Sequence, residues 1–133
     1  MARALLKTTK IYFYDTGQVR GDNGVRFENL VACALLKELH RREDENGDRT
    51  ELHYCRMKDG REIDFAVLVN GAVQVLVECE WSDPSVSPAF LHLAVLFPKA
   101  KPVQLVAELR RDLDLPTGVH VRRAAPWLAA MTW

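Results

Sequence analysis

The chain has no excess of charge, few cysteines and no long apolar run, and each absence excludes a class of protein. Its 18 lysines and arginines balance 18 aspartates and glutamates, so any binding of a polyanion has to come from a local patch. Three scattered cysteines predict buried thiols in a reducing compartment and not a disulfide framework. No apolar run approaches the roughly 20 residues of a membrane span, and no signal peptide is visible after Met1. We therefore expect a cytoplasmic protein with no membrane partner.

What is present is the composition of an ordinary globular domain. Of the 133 residues, 48% are hydrophobic and 27% are charged, which excludes disordered and fibrous classes. This length allows one core and leaves no room for a second, so residues 1–133 are predicted to form a single domain. Residues 1–10 are expected to be a linker remnant from a preceding domain, because a short amphipathic piece there leads into the first compact segment, 11–14.

The pattern of apolar residues predicts a mixed α/β architecture. The clearest helix is predicted at residues 23–40, where apolar side chains recur at helical spacing, and the polar block 41–49 is expected to end it. Strands are predicted at 11–14, 51–57, 62–69, 73–79 and 103–107, an edge strand at 119–121, a buried helix at 90–97 and a terminal helical turn at 125–131. This order predicts a mixed sheet flanked by helices on both faces.

The centre of the chain is a predicted β-hairpin that carries acidic residues. Asn70 and Gly71 stand between two runs rich in β-branched residues, and this dipeptide is the strongest short-range signal for a hairpin. Glu78 and Glu80 are two residues apart on the second strand, so both project from one face of the sheet. At about 4 Å, two such charges repel by roughly 4 kcal/mol for an effective dielectric near 20. A divalent metal with oxygen ligands is the simplest remedy.

The geometry of the turn decides whether Asp64 can join these two residues. Residues that face each other across an antiparallel ladder lie on the same side of the sheet. A regular two-residue turn would pair Asp64 with Val77 and place it on the face opposite Glu78 and Glu80. A three-residue loop, or one bulge anywhere in the hairpin, restores the shared face. We therefore predict an odd loop or a bulge, with Glu28 arriving from the first helix.

Glu28 is the other acidic residue in an unusual place. At 100° per residue it falls on the flank of the apolar stripe of the predicted helix, and not on its solvent face. One interpretation is a first-turn glutamate that is favoured by the helix dipole. The other is a side chain that reaches the hairpin site.

The motifs that carry these residues resemble the DUF4143 family, the C-terminal domain commonly attached to prokaryotic AAA-type ATPases. The similar segments occur in order and cover most of the chain between residues 5 and 97; they are residues 10–17, 24–32, 58–65 and 77–80. The family in turn resembles the PD-(D/E)XK nuclease superfamily. The resemblance implies a restriction-endonuclease-like core in which the helix glutamate is Glu28, the strand aspartate is Asp64 and the first glutamate of Glu-x-Lys is Glu78.

One position departs from that pattern, because Glu80 stands where the superfamily has lysine. The resemblance therefore leaves two functions open. The domain is an interaction module for nucleic acid or protein with a degenerate site, or it is an active DNA endonuclease or phosphodiesterase. In the second case the catalytic residues are Glu28, Asp64, Glu78 and Glu80, with Mg²⁺ or Mn²⁺ held by Asp64 and Glu78. The implied partners are DNA, an AAA ATPase domain or a second copy of the chain. The sequence has no Gly-x-x-x-x-Gly-Lys-Ser/Thr loop, so nucleotide hydrolysis is not expected of this chain.

The remaining residues of chemical interest have simpler interpretations. His40 and His53 share no nearby cysteine or histidine in sequence, so a surface or packing role is favoured over metal ligation. Trp81 could stack on a base, although an aromatic residue at a strand end more often covers the core. The arginine pairs 110–111 and 122–123 are expected to be solvated.

Overall fold

The computed structural model of the chain describes residues 4–8, 22–57, 60 and 62–133. Within them, strands β1 to β7 form one sheet in the order β1-β2-β3-β4-β5-β7-β6. The strands are β1 Ala4–Thr8, β2 Thr50–Met57, β3 Glu62–Val69, β4 Ala72–Glu80, β5 Lys101–Val106, β6 Leu113–Asp114 and β7 His120–Arg123. The helices are α1 Asn23–Asn46, α2 Pro88–Leu96 and α3 Ala124–Ala130.

The sheet is mixed, as the sequence predicts. Strands β1 to β4 are antiparallel neighbours, β5 runs parallel to both β4 and β7, and β6 is antiparallel to β7. The parallel step from β4 to β5 passes through α2, which matches the crossover that parallel pairs need. The predicted class, a mixed sheet with helices, is confirmed. The PD-(D/E)XK core is a finer claim and stays a prediction.

Two apolar cores cover the two faces of the sheet. The first core packs under α1, and we call this side the α1 face; its buried members include Phe27, Val31, Leu35, Phe65, Val67, Val75, Val77 and Leu105. The second core packs under α2, and we call this side the α2 face; its buried members include Ala66, Leu76, Phe90, Leu93, Val106 and Val121. Successive residues of β4 alternate between these cores, which fixes the face of every side chain near the end of that strand.

Helix α1 is longer than predicted. Asp22 caps its start by accepting a 2.9 Å hydrogen bond from the Val25 N–H, as the sequence predicts. The polar block continues the helix to Asn46 because Arg41 pairs with Glu38 and Glu45 at helical spacing. Gly47, with φ of 71°, then ends the helix in the left-handed conformation. No helix among the described residues is both long enough and apolar enough to cross a bilayer.

The two ends of the described sheet differ from the prediction. Residues Ala4–Thr8 pair with β2 as strand β1 and belong to the sheet, whereas the sequence indicated a linker at 1–10. The strand predicted at 11–14 lies outside the described residues. Strand β7 is an inner strand, because β6 pairs with its outer side. The sequence missed β6 because a two-residue strand leaves no detectable alternation.

Candidate carboxylate site at the end of the central hairpin

The hairpin combines a two-residue turn with a bulge. Asn70 and Gly71 have φ of 52° and 84°, the left-handed values that a tight hairpin turn requires, and Val69 pairs with Ala72. The register then shifts, because Leu68 pairs with Val73 while Val67 pairs with Val75. Gln74 is therefore the extra residue of a bulge, and its side chain is exposed.

This bulge brings Asp64 into line with Glu78. Beyond the shift, Phe65 pairs with Val77. If this register is continued by one residue, Asp64 of β3 faces Glu78 of β4. The prediction of a bulge is confirmed, and the parity conflict that a regular hairpin would create is removed. The bulge at Gln74 therefore sets the register of β4 against β3 at the acidic end of the hairpin.

The two strands separate at the acidic end of the hairpin. The register between β3 and β4 runs no further than the Phe65–Val77 pair in the described strands, although β4 continues to Glu80. There the backbone N–H of Cys79 donates a 2.8 Å hydrogen bond to Oδ2 of Asp64. The carboxylate thereby occupies the place of a backbone acceptor. The register between β2 and β3 also shifts here, between the His53–Ala66 and Cys55–Ile63 pairs.

Glu78 and Glu80 project from the α2 face of β4. The residues between them alternate to the other side: Val77 and Cys79 belong to the α1-face core. Glu78 is next to Gln104 in the parallel register with β5. The sequence-predicted pair of glutamates therefore shares one face, as expected from the period of a strand.

Burial and neighbouring charge keep Glu78 protonated. Burial is the largest cause that raises the pKa of its carboxyl, to about 10. The next largest cause that raises this pKa is a hydrogen bond with the Asp64 side chain, and the charges of Asp64 and Glu80 raise it further. A hydrogen bond with the backbone of Asp64 lowers the pKa. Asp64 and Glu78 thus form a hydrogen-bonded acid pair at neutral pH, because two adjacent carboxylates in a desolvated place cannot both stay charged.

Glu80 stands between this pair and a fourth acidic residue. Burial raises the pKa of Glu80, followed by the charge of Asp83 and then by that of Asp64. The sequence did not single out Asp83. Its side chain accepts hydrogen bonds from the Ser85 N–H at 2.9 Å and from the Ser85 hydroxyl at 2.6 Å, which holds the loop after β4 in a turn.

Gln104 positions that loop and was also missed. Its side chain is buried, with 1% exposed, and its amide donates to the backbone oxygens of Asp83 at 3.4 Å and Ser85 at 2.7 Å. A buried amide in a strand needs such partners. A polar residue in the middle of the apolar strand Lys101–Val106 was the available signal, although periodicity alone does not say what it bonds.

Glu28 reaches the same end of the sheet from the other face. Its neighbour Phe27 packs edge-to-face against Trp81, with 6.3 Å between ring centroids, so the first turns of α1 lie over the end of β4. The charge of Glu28 is one of those that raise the pKa of the Cys79 thiol, after burial and the charges of Asp64 and Glu78. Cys79 lies on the α1 face. Glu28 is therefore adjacent to the end of the hairpin, but it lies on the α1 face of β4, whereas Glu78 and Glu80 project from the α2 face.

Trp81 occupies the place that its simpler interpretation predicts. It packs against the α1-face core as well as against Phe27. The covering role that the sequence favoured for this residue is confirmed. Its edge-to-face contact also fixes the direction in which the chain leaves β4.

The donor chemistry of the site suits Mg²⁺ or Mn²⁺, but the arrangement is not a ready-made metal site. Carboxylate oxygens are the ligands that these cations prefer, and Asp64, Glu78 and Glu80 supply them. Within the described part of the chain, no three Asp, Glu, His or Cys side chains already stand together as a metal-binding group. Binding a cation here requires Glu78 to lose its proton.

Comparison with known proteins adds no relative from which a role could be transferred. No family model matches the chain, and neither the curated proteins nor the solved structures contain a significant match. The resemblance to the DUF4143 family and to PD-(D/E)XK nucleases stays a prediction.

Proposed function

We propose that this chain is a nuclease-fold domain that holds Mg²⁺ or Mn²⁺ between Asp64, Glu78 and Glu80 and contacts nucleic acid there without cleaving it. The observation that carries the proposal is the hydrogen bond between the Asp64 and Glu78 side chains at the end of the hairpin, in a strand pair whose register is set by the bulge at Gln74. β-Bulges are over-represented at functional sites, where they change the direction of side chains. A purely structural hairpin would have no need of a hydrogen-bonded pair of acidic side chains with a third acidic residue nearby.

The cost of the carboxylate cluster supports a cationic ligand. Desolvated like charges are unfavourable, and in the metal-free protein the proton on Glu78 relieves that repulsion. A divalent cation can take the place of the proton and add two positive charges. When bound, it supplies Lewis-acid polarisation of a phosphate oxygen. The chain's own residues provide the oxygen donors, and Gln104 and Asp83 hold the adjoining loop.

The residue at position 80 favours binding over hydrolysis. The resemblance assigns a lysine to this position, and this chain has Glu80. Three lysine side chains belong to the described part of the chain, and all three lie elsewhere. Lys37 is exposed on α1, and Lys99 and Lys101 are at the opposite end of β5. None of these three lysines can replace the motif lysine at the carboxylates. The role as an interaction module therefore has the stronger support.

Hydrolysis is the second candidate, and the same convergence of acidic residues favours it. Glu80 stands beside Asp64 and Glu78, and burial raises its pKa. A carboxylate with a raised pKa is better matched to accept a proton near neutral pH. In this alternative Glu80 serves as the general base, and Glu28 supports the site from α1. The resemblance to an AAA-associated family adds an ATPase domain as a further candidate partner.

Metal binding is tested by melting temperature with and without Mn²⁺ or Mg²⁺. A ligand at about 100 times its Kd stabilises the folded state by about 2.7 kcal/mol, so we expect the melting temperature of the wild-type protein to rise. Asp64→Asn should abolish the rise. It is a sharp variant because the amide oxygen can still accept from the Cys79 N–H. An unchanged melting temperature with either cation, or an equal rise in Asp64→Asn, would contradict the proposed metal site.

Plasmid nicking separates the two functions. We expect wild-type protein with Mn²⁺ to bind DNA without nicking it, and Glu80→Lys to gain nicking that Asp64→Asn abolishes. Glu80→Gln is the matched control, because it removes the charge without adding a lysine. Nicking by the wild-type protein that is lost in Asp64→Asn would instead establish the active nuclease.

A further inference from the structure

The loop after β5 carries two arginines at the edge of the carboxylate site. Residues Lys101–Val106 run parallel to β4, so the carboxyl ends of both strands meet at the same edge of the sheet. The pairing continues past both strands, because Ala107 N–H donates to Glu80 O at 3.0 Å and Glu108 N–H donates to Trp81 O at 2.8 Å. Arg110 and Arg111 follow within three residues, and both are exposed.

The far end of this loop is also anchored. Asp112 accepts a 2.8 Å hydrogen bond from the backbone N–H of Arg123 and a 3.4 Å hydrogen bond from its guanidinium. The arginine pair is thus held between a contact to the end of β4 and a contact to the end of β7. Two fixed ends limit how far the pair can move from the carboxylates.

These two arginines differ from most others in the described part of the chain. Five of the others are committed to acidic partners: Arg41, Arg42, Arg56, Arg122 and Arg123 each pair with an aspartate or glutamate. Within the described residues, Arg110 and Arg111 form no ion pair. Both keep the free donors that a planar guanidinium offers to a phosphate.

The location explains what such a pair could do. The whole chain has no net charge, and the charged carboxylates of the site repel an approaching polyanion. A nucleic acid can approach this edge only if a local cation offsets that repulsion. Arg110 and Arg111 follow Glu108, whose backbone bonds to Trp81 at the end of β4. Of the two acidic residues that flank the pair, Asp112 is already bonded to Arg123, which leaves Glu108 to offset part of the arginine charge.

We infer that Arg110 and Arg111 bind the phosphodiester backbone of a nucleic acid and hold it over the carboxylate site. This inference rests on the proposed function for the class of partner and adds the residues that bind it. The phosphodiester backbone is common to DNA and RNA, so the loop itself does not choose between them. Each arginine contributes one phosphate contact.

The test is the salt dependence of binding, measured by fluorescence anisotropy with a 20-base-pair DNA duplex and an RNA duplex of the same sequence at constant Mg²⁺. Each phosphate contact contributes about 0.9 to the slope of log K against log salt on B-DNA. The double variant Arg110→Gln/Arg111→Gln should therefore reduce the magnitude of this slope by about 1.8. Because the contact is to the backbone, RNA binding should weaken as well.

The matched control is Lys99→Gln/Lys101→Gln. It removes two exposed positive charges at the opposite end of β5, so it changes net charge by the same amount, and it should keep the wild-type slope. An equal change in both double variants would show a general charge effect and overturn the inference. An unchanged slope in the arginine variant, with its Mn²⁺-induced melting shift intact, would overturn this inference alone. Absence of binding to either duplex would overturn the proposed function together with it.

Discussion

At the scale of single residues, the Asp64–Glu78 pair is the most informative feature. The raised pKa of Glu78 keeps its side chain neutral near pH 7, and this side chain is hydrogen-bonded to Asp64. A pair of this kind contributes stability only while the proton is present. The residue that is closest to the proposed chemistry is thus also a source of pH-dependent stability.

Glu78→Gln should change how stability depends on pH. The folded-state pKa of Glu78 is raised, so its contribution is complete below the ordinary pKa of a glutamate and is lost as pH rises toward the folded value. The wild-type protein should therefore lose stability between about pH 5 and pH 9 relative to the variant, by at most about 1.4 kcal/mol per pH unit. Urea unfolding in EDTA at several pH values measures this.

The control for this experiment is Glu108→Gln, which removes one exposed carboxylate from a loop. It should leave the difference from wild type the same at every pH. Parallel curves for the wild-type protein and Glu78→Gln would contradict the raised pKa of Glu78.

At the scale of elements, the hairpin is the part on which the site depends. Its turn is fixed by Gly71, whose φ of 84° lies in the left-handed region, and by Asn70. The Asn70 side chain accepts from the Arg49 N–H at 2.9 Å and donates to Asp48 at 3.1 Å. The turn is thereby joined to the loop that follows α1, and its register cannot slip independently of that loop.

Gly71→Ala should destabilise the protein by about 1–2 kcal/mol, because a Cβ disfavours the left-handed backbone. The new Cβ also meets the end of the Arg49 side chain at 3.3 Å, which is flexible enough to move. Gly71→Asn is the matched variant, and it should cost less since asparagine tolerates this conformation. Denaturant unfolding of both variants measures the difference. Equal losses for the two would show that the Arg49 contact, and not backbone conformation, sets the cost.

At the scale of the whole molecule, the C-terminal residues connect α3 to α1. Trp133 stacks on Trp127 with 5.5 Å between centroids, and the Arg42 guanidinium lies 4.2 Å from the Trp133 ring centroid. Arg42 also donates to the Met131 backbone oxygen at 3.1 Å. These contacts hold a short terminal helix against the longest helix of the described chain.

Trp133→Ala should lower the free energy of unfolding by about 1–3 kcal/mol, since it removes an aromatic pair and a cation–π contact. Trp133→Phe should stay much closer to wild type. It keeps the ring, and it removes an indole N–H that is buried without a hydrogen-bond partner in the described part of the chain. Chemical unfolding compares the two. An alanine variant as stable as wild type would show that α3 is held by other contacts.

Much of the fold follows from local pattern in the sequence. The Asn70-Gly71 turn, the alternating strands on both sides of it and the helix cap at Asp22 are set by neighbours in the chain. Each of them is therefore visible in a short window of residues. The parity of the strands also required a bulge or an odd loop before Asp64 and Glu78 could share a face.

The position of that bulge was settled by packing between strands. Gln74 is the extra residue because Val75 and Val77 fill the α1-face core while Leu76 fills the α2-face core, a choice that depends on partners far away in the chain. For the same reason the approach of Glu28 across β4 and the bond from Cys79 N–H to Asp64 could not be predicted. Such contacts form only when distant segments have packed against each other, so the periodicity of a short stretch of sequence does not predict them.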